Sequence, residues 1–308
     1  MPRDPLSDTL ALIDARCVVS GGFTAGGTWG LRFWPQAQLK LVAVARGSLW
    51  LSVDEGPEPV LLRTGDVAVV NGWRQVVLAD DPQSENADLT EAFTSSETGV
   101  ISVAEGEEVA VVGGHVEVNR MGEELLLAVL PQITCIRAVA EEAHAIGWLL
   151  QRILREMTTN PPGSSFVAHQ HAQLLLAEVF RAYLADVTSL PVGWLRVIAE
   201  PGLGPALRAM HADPGRDWSL AELARLATMS RTTFIDRFKA TAGVPPMTYL
   251  QQWRIRLAER ELGTSTTSVT DLAAALGYKS NSAFSTAFKA ATGLSPRHFR
   301  EAQLALRS

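Results

Sequence analysis

Between Trp218 and Arg300 one structural unit is written twice. Phe234, Phe238, Lys239, Gly243 and Pro246 recur 50 residues later as Phe284, Phe288, Lys289, Gly293 and Pro296, and Leu223-Ala224 recurs 49 residues later as Leu272-Ala273. Self-similarity at one fixed period obliges both copies to form the same supersecondary unit. In the first copy, Ser219 caps a helix ending near Ala227, Thr228-Met229 makes the turn, and Ser230 caps a second helix. In the second, Asp271–Leu276 is the first helix and Gly277 is the turn, where a positive φ suits glycine. Ser280 then caps the following helix. Two helix-turn-helix units follow, at about 218–240 and 269–290.

The phenylalanines sit at i and i+4, so both rings face inward onto the groove above Leu-Ala. That leaves an outward face on each second helix. On the first it carries Arg231, Thr232, Thr233, Asp236 and Arg237, with Lys239 beyond; on the second, Ser280, Asn281, Ser282, Ser285, Thr286 and Lys289. Short hydrogen-bonding groups at a helix start suit base edges, and backbone N–H groups, Lys and Arg suit phosphates. The expected DNA contacts are therefore Arg231, Thr232, Thr233, Arg237, Lys239, Ser280, Asn281, Ser282, Ser285 and Lys289. Between the units, Pro246–Leu262 reads as a long helix with Leu250, Trp253, Leu257 and Leu262 apolar and Arg254, Arg256 and Arg260 around it. Such a helix fixes the spacing of two readers for successive major grooves on one face of DNA.

Charge agrees once the chain is divided. Its net −6 argues against a polyanion partner, but residues 201–308 hold 14 of the 27 Lys and Arg and only 8 of the 33 Asp and Glu. That part is cationic and the rest acidic, which separates two jobs.

Trp253-Arg254-Ile255-Arg256-Leu257-Ala258, Val269-Thr270-Asp271-Leu272-Ala273, Gly277-Tyr278-Lys279-Ser280 through Phe284 to Phe288-Lys289, and Gly293-Leu294-Ser295-Pro296-Arg297-His298-Phe299-Arg300 together closely resemble the signature of AraC/XylS-type transcription regulators. Ser230-Arg231-Thr232-Thr233-Phe234 and Phe238-Lys239 match the family's first reader. The resemblance covers about the last 110 residues. It implies two helix-turn-helix subdomains on a linker helix, binding double-stranded promoter DNA, commonly as a dimer.

Upstream, residues 18–120 read as strands. Lys40–Arg46 and Ser48–Val53 are separated by Gly47; Val60–Leu62, Val67–Val70, Val76–Leu78, Gly99–Val103, Glu108–Val112 and His115–Val118 continue at sandwich or barrel intervals. After Pro131 the pattern turns helical. Apolar positions from Val139 to Ile153 recur every three or four residues, Pro161-Pro162-Gly163 breaks the chain, and a second helix runs to about Leu184. The expected architecture is α+β and multidomain: a sensor and dimerisation domain over 1–185 (β-barrel about 10–130, helical hairpin about 138–185), a linker over 186–193, and an all-α DNA-binding domain over 194–308. The β-rich part, with Gly65-Asp66-Val67 and then Asn71-Gly72, resembles the cupin-type sensor domain of one AraC subgroup, and the resemblance favours the hairpin as the dimerisation surface.

One departure from that pattern matters. Metal-binding cupins present histidines with a carboxylate, yet the first histidine here is His115, and Arg74-Gln75 stands where a cupin histidine would follow Asn-Gly. His169 and His171 lie two apart on a helix and cannot chelate together; His115 and His144 read as structural. No bound metal, cofactor or enzymatic activity is expected. Cys17 and Cys135 have no partners at ligand spacing. Trp29, Trp50 and Trp73 are the candidate lining of a small-molecule effector pocket, with Phe33 and Trp34 as further aromatics. Arg32, Arg46 and Arg74 are possible anion anchors, for which solvent exposure is the simpler expectation. No apolar run approaches the roughly 18 residues of a membrane span. Nor does Met1-Pro2-Arg3-Asp4-Pro5 have the order of a secretory leader, so a cytoplasmic, ligand-responsive regulator is expected. Two alternatives stand beside it: a ligand-independent regulator whose barrel only dimerises, and a cupin-derived enzyme fused to a DNA-binding domain.

Overall fold

Helix α1 (Pro5–Leu12) begins at Asp4, whose carboxylate accepts a hydrogen bond from the Ser7 amide at 2.9 Å, with proline in the first turn where no amide is needed. The computed structural model describes residues 4–95, 99–127, 129–137, 141–185, 187 and 190–305, the side chains of 93–95 and 141–143 excepted. Residues 138–140 of the expected hairpin and 186, 188 and 189 of the expected linker lie outside the described residues. The chain divides into two units, Asp14–Ala185 and a second one that joins residues 1–13 to 186–308. The sequence reading grouped α1 with the strands; in the structure it packs on helices of the second unit.

The first unit is two facing sheets. Strands β1 (Arg16–Ala25), β2 (Gly30–Phe33), β3 (Leu39–Arg46), β4 (Ser48–Val53), β5 (Val60–Arg63), β6 (Val67–Asn71), β7 (Val76–Ala79) and β8 (Ala87–Asp88) are followed by α2 (Thr90–Ser95), β9 (Val100–Ser102), β10 (Val109–Glu117), α3 (Arg120–Leu127) and β11 (Ile133–Ile136). One sheet has the order β11-β6-β3-β10-β1-β9, the other β5-β4-β7-β2-β8. Alternate residues of each, including Phe23, Leu31, Val42, Val44, Leu49 and Leu51, meet in a single core. The opposite face of the first sheet is covered by α4 (Glu141–Thr159) and α5 (Ser164–Ala185). Leu175, Leu176, Val179 and Phe180 of α5 are buried there. Strand β3 is thus buried on both faces, which is why it reads as a nearly continuous apolar run.

Three local expectations change. Glu108–Val112 and His115–Val118 are one strand, β10, because Gly113 and Gly114 let it run uninterrupted between β1 and β3. A Cβ at Gly114 would stand 3.0 Å from the Val18 carbonyl oxygen. Beyond Pro131 the chain makes one more strand before turning helical: β11 pairs antiparallel with β6, and four residues are too few for a period to declare itself. Residues 120–127, beyond the last expected strand, form α3.

In the second unit α1 is joined by α6 (Trp194–Ala199), α7 (Gly204–Ala212), α8 (Leu220–Leu226), α9 (Arg231–Ala242), α10 (Pro246–Thr264), α11 (Val269–Ala275), α12 (Asn281–Thr292) and α13 (Pro296–Ala305). The repeat runs further than the identities suggest. Phe234 and Phe238 stand with ring centroids 5.7 Å apart, as do Phe284 and Phe288. Tyr249 closes the first pair at 5.5 Å, and Phe299, 50 residues later, closes the second at 5.4 Å. Gly243 and Gly293 end the reader helices with φ of 76° and 78°.

The joint between α1, α7 and α10 is polar but buried. His211 of α7 stacks on Trp253 of α10 with centroids 3.7 Å apart, and its Nε2 lies 3.0 Å from the Tyr249 hydroxyl. Burial first, and the positive charge of Arg256 second, push its pKa down to about 3. The Asp8 carboxylate, 3.8 Å from Nδ1, pulls the other way, but it is beyond hydrogen-bond distance and burial dominates. The native imidazole is therefore neutral, while an unfolded one titrates near 6.5. Stability from this group is complete above about pH 6.5 and falls as pH drops toward 3. At pH 5 the loss is about 2 kcal/mol. Urea denaturation of the wild type and His211→Phe at pH 7 and 5 measures it: the wild type loses this increment and the variant does not.

Candidate nucleic-acid interface

Each reader helix is set by a cap, a turn and an inward aromatic pair. Helix α8 opens with a capping box in which Ser219 Oγ accepts from the Glu222 amide and Glu222 returns a bond to the Ser219 amide at 3.0 Å. Its counterpart α11 starts two residues earlier than the sequence suggests, at Val269, because Ser268 caps it. The turns differ in an informative way. Gly277 has φ +77° and its Cα lies so close to Gly215 that a Cβ would stand 2.1 Å from the Gly215 carbonyl oxygen. The equivalent residue in the first unit, Thr228, holds φ +53° despite its branched side chain. Ser230 then accepts from the Thr233 amide, and Ser280 from the Ala283 amide, each at 3.2 Å. Phe234, Phe238, Phe284 and Phe288 are fully buried over Leu223-Ala224 and Leu272-Ala273.

With the aromatic face buried, the opposite face is exposed. Arg231, Thr232, Thr233, Asp236 and Lys239 on the first reader are open to solvent, as are Ser280, Asn281, Ser282, Thr286 and Lys289 on the second; Ser285 is half-buried. Two side chains have local partners. Asn281 Nδ2 donates to Thr270 Oγ1 at 2.7 Å, which ties the start of α12 to the start of α11. Arg237 forms an ion pair with Glu200, just past α6, so its guanidinium ties α9 to that helix. Arg254 of α10 also has a structural role, donating to the Pro214 and Arg216 carbonyls at 2.6 and 2.9 Å. Among the described residues, Arg231, Lys239 and Lys289 make no ion pair. Lys279, directly before the Ser280 cap, is exposed beside them. Sequence reasoning passed over it because the outward face was taken to start at the Ser280 cap.

In the sandwich unit the three tryptophans expected to line an effector pocket are not brought together. Trp29 is buried in the core, edge-on to Phe23 at 5.3 Å. Trp50 lies between inward-facing Leu49 and Leu51, so the period of two puts it on the outer face. Trp73 is 56% exposed. Trp73 borders an open surface hollow with Leu39, Val116 and Leu127, whereas a cavity between the two sheets is lined by Phe23, Phe33, Trp34 and Lys40 and encloses about 640 Å³ counting its mouth. The arginines behave as surface groups: Arg32 is 3.9 Å from Asp88, Arg46 is 3.5 Å from Glu107, and Arg74 donates to the Asp54 carbonyl at 3.1 Å. His169 and His171 each turn Nδ1 to a carbonyl of the preceding helical turn.

The two faces of each reader predict opposite responses to truncation. Phe238→Ala or Phe288→Ala removes a buried ring and costs about 3–5 kcal/mol. Arg231→Ala and Lys289→Ala, on the exposed face, change stability by about 0.5 kcal/mol or less. Chemical denaturation of the four variants separates the faces.

Residues 4–185 match the cupin family model and residues 223–302 a helix-turn-helix domain model. A Streptomyces lividans protein described as an AraC-like transcription regulator is 37% identical, with 97% of this chain and 98% of that protein aligned. A Streptomyces antibioticus protein of the same description is 36% identical over the same shares. Among solved structures, the DNA-binding domain of the transcriptional factor AdpA in complex with a target DNA is 31% identical, covering 35% of this chain and 97% of that one, with a TM-score of 0.34. The chain belongs to the AraC-like transcription regulators, with an N-terminal cupin domain and a C-terminal helix-turn-helix domain, and its relatives are regulators rather than enzymes.

Proposed function

We propose that this regulator binds promoter DNA as a dimer through α9 and α12, and that a small molecule taken up by the sandwich unit alters that binding. The observation that carries the DNA reading is the repeated reader: two capped helices, each with its aromatic pair buried and its polar N-terminal face open. Arg231 and Asn281 occupy the same position in the two copies, one residue past the cap. Both residue types can pair with two acceptor or donor atoms of one base. The capped N-termini, Lys239, Lys279 and Lys289 meet phosphates. Arg237, held by Glu200, contributes by fixing α9 rather than by touching the backbone. Thr232, Thr233, Ser280, Ser282 and Ser285 complete the contact face.

The α4–α5 hairpin supports dimer formation. Trp148, Phe166 and Leu174 are each more than half exposed there. Exposed large apolar side chains on one hairpin fit a surface that a second copy covers. For the effector, a ligand shifts DNA binding only by as much as its affinity differs between the DNA-competent and incompetent states. No helix among the described residues is long and apolar enough to cross a membrane.

The test is a mobility shift of the full-length protein on its own upstream intergenic DNA through a potassium chloride series. Specific retention weakens as salt rises. Arg231→Ala and Asn281→Ala each weaken specific binding about tenfold to a hundredfold and relax sequence preference, while Lys289→Ala weakens all sequences alike and lowers the salt slope by about one. Retention unchanged in all three variants would mean that α9 and α12 do not face DNA. For the dimer, sedimentation equilibrium of Trp148→Asp with Phe166→Glu gives a monomer where the wild type gives twice its mass.

A further inference from the structure

The cavity between the two sheets has a cationic wall, and a break in sheet regularity shapes it. Strands β1 and β10 pair in step from Arg16 to Val19, then slip by one residue before Gly21. A bulge re-aims the extra side chain, and here Ser20 lines the cavity. Its Oγ accepts a hydrogen bond from Lys40 Nζ at 2.7 Å. Lys40 occupies the inward phase of β3, two and four residues before the core residues Val42 and Val44. Its ammonium lies 5.6 Å over the Phe33 ring. Gly113 of β10 lies beside it, and a Cβ there would be in ordinary contact with Nζ at 3.5 Å. Most of the remaining lining, Phe23, Val42, Leu78 and Val111 included, is apolar.

This wall carries a cation with no anion opposite. Among the described residues no carboxylate pairs with Lys40. The titratable group that faces it is His115 on β10, which lines the same cavity, and Cys17 on β1 lies near enough for their charges to interact, on the α5 side of the sheet. Burial pushes the Cys17 thiol up to about 12, so it stays neutral. Burial, with the charge of Lys40 adding to it, lowers the pKa of His115, whose Nε2 lies 3.6 Å from Glu117 at the strand end. Burial likewise lowers Lys40 to about 8. An ammonium held in an apolar wall with only a serine hydroxyl costs stability that a bound anion would restore.

We infer that this cavity takes a small carboxylate, its anionic head on Lys40 Nζ and Ser20 Oγ and its apolar body between Phe23, Phe33, Leu78 and Val111. The assignment rests on the reading that the sandwich unit takes an effector. One ammonium and one hydroxyl match the two oxygens of a carboxylate. A phosphate monoester, with three terminal oxygens and up to two negative charges, is matched less well by a wall with a single cation. A cationic ligand meets Lys40 directly.

Isothermal calorimetry of the full-length protein with hexanoate, benzoate, hexanol and hexylamine tests the assignment. At least one carboxylate binds, and the alcohol and amine of matched length bind about tenfold to a hundredfold more weakly. Lys40→Met removes the preference for carboxylate while far-UV circular dichroism stays native and the melting temperature does not fall; Ser20→Ala, which leaves the ammonium in place, weakens carboxylate binding less. Carboxylate affinity also falls as pH rises through about 8, where Lys40 loses its proton. Cys17 titrates far above that range and His115 below it, so neither imitates the change. Equal binding of hexanol and hexanoate, unchanged binding in Lys40→Met, or no binding of either carboxylate overturns the assignment. Should Lys40→Met fail to fold, Ser20→Ala and the pH series decide it. A mobility shift in the presence of the bound carboxylate is a separate readout. Binding without altered DNA retention defeats the effector reading and leaves the pocket standing, whereas absent calorimetric binding defeats the pocket and leaves the DNA reading untouched.

Discussion

Two phenylalanines four residues apart, pressed onto a Leu-Ala step, are the contact on which the C-terminal unit depends. Once Phe234 and Phe238 are buried over Leu223 and Ala224, the rotation of α9 about its own axis is set, and with it which side chains reach solvent. The same contact sets α12. Alanine at the step is as necessary as the rings, because a larger side chain would lift the helix and turn the face. Helix α10 then carries the result from one copy to the other. Its Tyr249 closes the first aromatic pair, and its Ile255, Ala258 and Leu262 lie in the core of the second copy.

Strand β3 plays the corresponding part in the sandwich unit. It pairs with β10 on one side and β6 on the other, and its two faces serve different partners. Val42 and Val44 point to the second sheet, and Leu39 and Leu41 line the face beneath α5. Such a strand cannot shift by one residue without exchanging both faces at once. Lys40 is therefore held on the inward side by the pairing of its neighbours.

Legibility follows the range of the interactions. The repeat, the caps at Ser219, Ser230 and Ser280, the turn at Gly277 and the outward faces are local, so spacing alone exposes them. Ser268 and the early start of α11 were readable too, since Ser-x-x-Asp precedes the apolar step. The cavity is different. Its polar wall depends on a slip in pairing between β1 and β10, a non-local event that no window of sequence contains, and aromatic content pointed instead to Trp29, Trp50 and Trp73. The one available signal was phase. Lys40, Val42 and Val44 share a face, and a lysine in step with core valines is out of place on a strand. Arg237 was illegible for a similar reason, because Glu200 is 37 residues away.

The two copies keep a common frame and differ where the frame leaves a choice. One residue past each cap stands Arg231 or Asn281, a cation in one and a neutral amide in the other. Further along, Arg237 corresponds to Ala287, so α9 is tied to its surroundings by an ion pair, while α12 relies on packing against Phe299. Core positions are constrained by the rings and cannot drift; exposed positions are not. If both faces meet DNA, a guanidinium matches the paired acceptors of guanine and an amide the donor and acceptor of adenine. The two contacts made by one chain then differ in sequence, and the site for one chain is directional. A symmetric operator arises only when a second copy supplies the inverted pair. Internal repetition and dimer formation are thus separate devices: the first extends the length of DNA read by one chain, the second gives the site its symmetry.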